Sequence, residues 1–336
     1  MPPFGTPGHE DYNCFFADRS KFPRHGRAGL HESAARGPGR TRNTPRSRPG
    51  PCGRRPPKAA TSQFYDRAIA AKIFQACGRA EKFAAGATIF AQDQKSSSGG
   101  LFSRGSESRM YYIAAGQVTI LAGGRPIDSL GEGEIFGEGA VITEQPRSAT
   151  ALAKAECAAY SMNAGELGAA ISRMPEFAVM LMSVMYDRIR FVTARLAARR
   201  VPIAARDGEP PVFAPALLAS LEAALPRSAV TRYRQQAVIM REGQSGACMY
   251  VVKEGKVAIG VQNRLVALVN PGGTFGEMAL VDQSPRSATA ISETECELLS
   301  VDRASLMAAI KSQPAFAFAM LRDGADRLRH LTAQLG

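Results

Sequence analysis

The chain has 336 residues, about two domains' worth, and its 45% hydrophobic and 21% charged residues suit a globular protein in water. No apolar run approaches the roughly 20 residues that a membrane helix needs, and the N-terminus is polar where a secretory signal requires an apolar core, so a cytoplasmic protein without membrane insertion is expected. The net charge of +12 invites a nucleic-acid partner, but residues 1–58 hold twelve Lys/Arg against four Asp/Glu, so most of the excess belongs to that stretch and not to a folded face.

Residues 1–60 are rich in Pro, Gly, Arg and Ser, as in Arg54-Arg55-Pro56-Pro57, and show neither helical nor strand period. They read as a disordered basic tail. Its alternatives are an arm that meets nucleic acid, anionic lipid or an acidic partner, or a tail without a role. A short helix is expected over Arg67–Cys77, followed by short strands such as Tyr111–Ala114 and Val118–Leu121, with turn residues every 8–12 positions. Lys95–Arg109, with its Ser and Gly clusters, reads as a long loop between two strands. A helix closes this first domain, read over 61–200: Phe177, Leu181, Met185, Ile189, Val192 and Leu196 recur at three- and four-residue spacing. Such a stripe either packs on its own domain, the commoner case, or forms a bistable element. The Pro- and Gly-bearing stretch 201–213 reads as a linker, and a second domain follows over 214–336. That domain opens with a helix at Ala214–Leu225, continues in strands such as Tyr250–Val252 and Val257–Val261, and closes on Phe316, Met320, Leu328, Leu331 and Leu335. Asp323-Gly324 is expected to interrupt this last helix, because Gly costs a helix about 1 kcal/mol relative to Ala.

The two domains are copies of one another. Met110-Tyr111 recurs as Met249-Tyr250, Phe136-Gly137-Glu138 as Phe275-Gly276-Glu277, and Pro146-Arg147-Ser148-Ala149-Thr150-Ala151 recurs unchanged as Pro285-Arg286-Ser287-Ala288-Thr289-Ala290. Thr193-Ala194 and Leu196 return as Thr332-Ala333 and Leu335. The offset is 139 throughout. Upstream, Ile89 matches Ile239 at an offset of 150, so the first copy carries 11 extra residues, placed in the Lys95–Arg109 loop. Gly116 and Gly255 fall at equivalent hairpin turns.

The repeated motif carries the chemistry. In Phe275-Gly276-Glu277-Met278-Ala279-Leu280, a strand ends near Thr274, Gly276 permits a tight turn, and a short helix starts at about Glu277, where backbone amides attract anions. Ala279 is small enough for a ligand to approach the backbone. Nine residues past the Glu, Arg286 enters from the next strand with a planar guanidinium that can hold two phosphate oxygens. The carboxylate repels phosphate and suits a hydroxyl donor instead, such as a sugar 2′-OH. One acceptor for a ribose and one cation for a phosphate describe a nucleotide site.

These segments resemble the phosphate-binding cassette of the cyclic nucleotide-binding domain family, which includes the catabolite activator proteins, regulatory subunits of cAMP-dependent kinase and cyclic-nucleotide-gated channels. The resemblance covers Arg67–Arg199 and Ala214–Gly336. It implies a mainly β fold with flanking helices: two tandem double-stranded β-helix, jelly-roll-like domains. It implies cAMP or cGMP as ligand, with Glu138 and Glu277 on the ribose 2′-hydroxyl and Arg147 and Arg286 on the cyclic phosphate. The backbone amides around Gly139-Ala140 and Met278-Ala279, and those of Ala149 and Ala288, would complete the cradle, with Gly137 and Gly276 among the binding residues. Ser148 and Ser287, in relatives, bear on base preference. The first copy departs from the family at Gly139, where Leu or Met is usual, which is expected to loosen its short helix and weaken its site relative to that of the second copy.

The expected function is a two-site sensor of cyclic nucleotide, without catalysis, that acts through contacts with an effector protein. The alternatives are a scaffold whose cassettes serve only packing, a transcription regulator, or a protein like a kinase regulatory subunit. Sequence-specific DNA binding is not expected, because the second copy runs to Gly336 with no recognition helix after it. A homodimer through the closing helices, as in the activator proteins, is a further expectation. No metal ligands, cofactor or catalytic constellation are expected: the six cysteines form no CxxC pair, and His9, His25, His31 and His330 lie outside the motifs.

Overall fold

The computed structural model describes residues 64–95, 107–199 and 210–335. The tail read over 1–60, residues 96–106 of the loop read over Lys95–Arg109 and most of the linker read over 201–213 lie outside the described residues. Helix α1 (Arg67–Cys77) starts where the Asp66 carboxylate accepts from the amides of Ala68 and Ile69, and it buries Ala70, Ile73 and Phe74. Eight strands follow: β1 (Arg79–Phe83), β2 (Thr88–Phe90), β3 (Met110–Ala115), β4 (Val118–Ala122), β5 (Arg125–Leu130), β6 (Ile135–Phe136), β7 (Thr150–Ala153) and β8 (Cys157–Met162). They form two antiparallel four-stranded sheets, β1-β8-β3-β6 and β2-β7-β4-β5. The chain crosses repeatedly from one sheet to the other, which makes the roll. Helix α2 (Glu138–Thr143) interrupts the strands between β6 and β7. Two helices close the repeat: α3 (Ala164–Arg173), started by a capping box between Asn163 and Glu166, and the long α4 (Pro175–Ala198).

The second repeat has the same plan. Helix α5 (Pro215–Ala224) precedes β9 (Val230–Tyr233), β10 (Val238–Met240), β11 (Cys248–Glu254), β12 (Val257–Val261), β13 (Arg264–Val269) and β14 (Thr274–Phe275). Helix α6 (Glu277–Asp282), β15 (Thr289–Ser292), β16 (Cys296–Asp302), α7 (Arg303–Ser312) and α8 (Ala315–Ala333) follow. Its sheets run β14-β11-β16-β9 and β10-β15-β12-β13. The fold is therefore the expected pair of jelly-roll-like domains, mainly β with flanking helices. The hairpin glycines sit at positive φ, +99° at Gly116 and +85° at Gly255.

Three cores hold the molecule. Phe90, Tyr111, Ile113, Val118, Phe136 and Cys157 fill the first roll, and Met240, Val252, Val257, Phe275, Ala290 and Leu298 fill the second. The third and largest core is shared. It joins Phe74, Phe177, Met185 and Tyr186 of the first repeat to Met249, Val301, Met320 and Leu321 of the second. Its axis is the packing of α4 against α8.

Two readings of the closing helices are corrected by this arrangement. The stripe Phe177, Leu181, Met185, Ile189, Val192 and Leu196 is buried, and it is shared with the other repeat, not confined to its own roll. Helix α8 also runs without a break through Asp323-Gly324. A Cβ on Gly324 would lie 3.1 Å from Met185 Cε and 3.5 Å from Tyr186 Cε1, so the missing side chain lets the two helices approach, and the packing outweighs the helical preference lost. Gly324→Val is accordingly expected to destabilise the protein by about 1–3 kcal/mol, the usual cost of overpacking, despite valine's better helix propensity. A lower urea midpoint measures it, and an unchanged midpoint would contradict the close approach. The closing helices pair with each other within the chain. Among the described residues, no single helix is long and apolar enough to cross a membrane.

Candidate functional site

In each repeat a two-residue strand ends at a glycine in the left-handed region, φ +77° at both Gly137 and Gly276. The glycine has two reasons to be there. A side chain at that φ is strained, and a Cβ would stand 3.0 Å from Arg147 Nη1 in the first repeat and 2.5 Å from Arg286 Nη1 in the second. The short helices begin at once, at Glu138 and Glu277. Gly139 does not shorten its helix, which has the same six residues as its counterpart.

Arg147 and Arg286 lie in the loops before β7 and β15, three residues short of each strand, and not in the strands. Each backbone is clamped on both sides. Arg147 N–H donates to Gln94 O at 3.0 Å, and its carbonyl accepts from Asp93 N–H at 2.9 Å. Arg286 repeats this with Gln244 at 2.8 Å and Gly243 at 2.8 Å. So anchored, each guanidinium reaches the carbonyl of the cassette glycine, Arg147 Nη1 to Gly137 O and Arg286 Nη1 to Gly276 O, both at 2.8 Å. Arg147 Nη2 also donates to Arg109 O at 2.8 Å, and Arg147 Cζ lies 4.0 Å from the centroid of the Phe90 ring. Arg286 sits 5.8 Å from the centroid of the Tyr250 ring, with Cys248 Sγ 3.9 Å from Nη2. Both arginines are buried, 6% and 5% exposed, and burial pulls the Arg147 guanidinium below its usual range. Neither takes an acidic side chain as a hydrogen-bond partner among the described residues. Each is a buried cation held by neutral groups, two backbone carbonyls for Arg147 and one carbonyl and a cysteine sulfur for Arg286.

The carboxylates have found partners that the sequence reading missed. Glu138 pairs with Arg188 of α4, and Glu277 with Arg327 of α8. Arg188 also donates to the Ile135 carbonyl. Burial opposes the charge on both arginines, yet the facing carboxylates hold each guanidinium above its usual range. The signal was available: Asp187-Arg188-x-Arg190 recurs as Asp326-Arg327-x-Arg329 at the same 139-residue offset. Glu277 is 1% exposed. One oxygen takes Arg327, and the other, Oε2, is buried with no hydrogen-bond partner among the described residues.

A cavity opens on each cassette. That of the second repeat measures about 350 Å³ and is lined by Glu277, Met278, Ala279, Arg286, Ser287 and Ala288 together with aliphatic residues of β12 and β13. That of the first measures about 120 Å³ and brings together Gly137, Glu138, Gly139, Ala140, Arg147, Ser148 and Ala149. All the candidate residues of each motif therefore meet at one place in their repeat. The closing helices cross over. Ile189, Arg190, Thr193 and Ala194 of α4 line the second repeat's cavity, while Leu328, Arg329, Thr332 and Leu335 from the C-terminal end of the chain line the first's. Ligand cavities usually measure about 300–1,000 Å³. The second cavity reaches that range and the first falls below it.

The family model of the cyclic nucleotide-binding domain matches this chain twice, over residues 100–174 and 230–313. The chain is 37% identical over 108 residues to the cyclic AMP receptor protein of Thermus thermophilus, covering 31% of this chain and 50% of that protein. It is 27% identical over 221 residues to a cAMP-dependent protein kinase regulatory subunit of Yarrowia lipolytica, covering 63% of this chain and 52% of the other. Among solved structures, the catabolite activator protein of Thermus thermophilus matches at 34% identity over 35% of this chain and 56% of that one, with a TM-score of 0.31. The chain spans about half or less of the length of the curated relatives it matches.

Proposed function

The chain carries two tandem domains of the cyclic nucleotide-binding family, and from that premise we propose that it is a cytoplasmic sensor of cAMP or cGMP that acts through contacts with an effector protein and catalyses nothing itself. The observation that carries the reading is Glu277 Oε2. A buried acceptor without a donor costs about 1–3 kcal/mol, and this one belongs to a residue that lines the larger cavity. A sugar hydroxyl supplies the missing donor. Arg286, across the same cavity, is a buried cation whose bonds go to neutral groups, and a cyclic phosphate supplies the charge it lacks. Shared by one ligand, the two requirements describe a ribose 2′-hydroxyl beside a phosphate. Arg327 fixes Glu277 while leaving Oε2 to the ligand. In the first repeat Glu138 and Arg147 line a smaller cavity.

Calorimetric titration tests this. Binding of cAMP or cGMP is expected in the micromolar range, about −8 kcal/mol. The 2′-deoxy analogue of the nucleotide that binds is expected to be roughly tenfold or more weaker, since Oε2 then stays buried without a donor. If neither nucleotide binds at millimolar concentration, the cassettes serve packing alone and the scaffold reading takes over. If the 2′-deoxy analogue binds as well as the parent, Glu277 does not hold the ribose.

A further inference from the structure

On one face the two repeats are unlike. In the first, residues of β1, β2 and β3 surround a small cavity of about 150 Å³, lined among others by Arg79, Glu81, Lys95, Glu107, Arg109 and Tyr111. It is not the cassette cavity. Phe90 and Arg147 line both and stand between them. The second repeat shows what the fold alone requires here. Phe83 and Tyr233 pair with the equivalent Cys157 and Cys296, and Gln94 and Gln244 each accept from the amide of the cassette arginine, so the matching positions are fixed. Where the first repeat has Arg79, Glu81, Lys95, Glu107 and Arg109, the second has Ala229, Thr231, Ser245, Gly246 and Cys248. Five charged residues stand against five small neutral ones. A Cβ on Gly246 would lie 2.1 Å from Arg286 Nε, so the second repeat's backbone closes on its arginine where the first repeat keeps a space.

The charged cluster is built around Arg109. Its Nε donates to Ser161 Oγ at 2.8 Å, and its Nη2 to the Ser161 carbonyl at 3.0 Å and to Glu166 at 2.7 Å. Glu81 lies 3.6 Å from Nε and Glu107 3.8 Å from Nη1. The Arg109 carbonyl in turn accepts from Arg147 Nη2. Four cations, Arg79, Lys95, Arg109 and Arg147, thus face Glu81 and Glu107 across the cavity, with Glu166 behind Arg109. Positive charge is left over. Lys95 has no ion-pair or hydrogen-bond partner among the described residues, and Arg147 bonds only to the neutral groups named above. Burial and the Glu81 carboxylate push the Tyr111 phenol up from its usual range, so its hydroxyl keeps a proton to donate.

We propose that the first repeat carries a second site, beside its cassette and distinct from it, for a small oxyanion held by Arg79, Lys95 and Arg147 with Tyr111 as a hydroxyl donor. A cavity of about 150 Å³ admits a phosphate or a short carboxylate, while sites for larger ligands begin at about 300 Å³. Guanidinium and ammonium groups bind either anion through charge-assisted hydrogen bonds. The site stands whatever ligand the cassettes take.

Calorimetric titration of the full chain with inorganic phosphate, and separately with acetate, tests this. At least one of the two is expected to bind with a dissociation constant of about a millimolar or tighter; phosphate alone marks a tetrahedral oxyanion, acetate alone a carboxylate. The double variant Arg79→Gln, Lys95→Gln is expected to weaken that binding about tenfold or more, the loss of two exposed charge contacts. Both residues are exposed and neither lines a cassette cavity, so the fold and the cassettes are spared. Arg173→Gln, Arg322→Gln removes the same charge at two other exposed positions and is expected to change nothing. No binding of either anion at tens of millimolar overturns the site. So does unchanged binding in Arg79→Gln, Lys95→Gln, which places the anion in a cassette, and so does an equal loss in Arg173→Gln, Arg322→Gln, which makes the attraction one of net charge.

Discussion

Replacing Arg286 with alanine is expected to weaken cyclic nucleotide binding in the second repeat by roughly 30-fold to several thousand-fold, the 2–5 kcal/mol that truncating one partner of a buried, hydrogen-bonded charge pair costs. The guanidinium is 5% exposed, so water screens little of its field and cannot take its place. Its backbone is clamped between Gln244 and Gly243, and Nη1 is spent on Gly276 O. The charge is therefore fixed in place before the ligand arrives, and little side-chain entropy remains to be lost on binding. Arg286→Lys is expected to fall between, because a lysine keeps the charge but cannot hold the glycine carbonyl and two phosphate oxygens in one plane. Calorimetry on both variants gives the ratios. A dissociation constant for Arg286→Ala within threefold of the unaltered chain would contradict the assignment.

Arg327→Met is expected to carry the largest loss of stability, about 3–5 kcal/mol, measured from the shift of the urea midpoint. Glu277 is 1% exposed and Arg327 is its ion-pair partner. Removing one member of a buried pair leaves the other as an uncompensated charge, whereas removing both is far cheaper. The double variant Glu277→Gln, Arg327→Met is therefore expected to recover most of the loss while still binding nucleotide poorly. That combination separates the two duties of Glu277, one toward the fold and one toward the ligand. If the double variant is no more stable than Arg327→Met alone, the arginine matters for packing and not for its charge.

The parts of this molecule that the sequence displays are those written over short distances. Glycine at a positive φ, an arginine nine residues beyond a glutamate and helices opened by Asn163 or Asp302 are local, and the 139-residue repeat states each of them twice. Contacts between distant segments were the hard part. Gly324 read as a helix breaker because propensity is a property of neighbours in sequence, while its partner Met185 lies 139 residues away. The stripe on α4 showed that one face must be buried, but an amphipathic pattern does not name the surface that buries it. Nothing local marks Arg188 and Arg327 off from other cations on amphipathic helices, although their recurrence in register is a signal. The cavity of the second repeat, about 350 Å³, is larger than that of the first, about 120 Å³, and a ranking of two sites by one residue, Gly139, does not reach a difference made by linings drawn from both repeats.

Met185 and Gly324 are the same position in the two copies, and they meet each other where α4 and α8 approach. A protrusion on one helix fits a vacancy on the other. A first repeat coupled to its own kind would set methionine against methionine in a space made for one, and a second repeat coupled to its own kind would set glycine against glycine around a void. The two halves have become unlike at the very point where symmetry would require them to be alike. They are lock and key to one another, so the duplicated chain is a dimer of non-interchangeable parts whose correct partner is already attached.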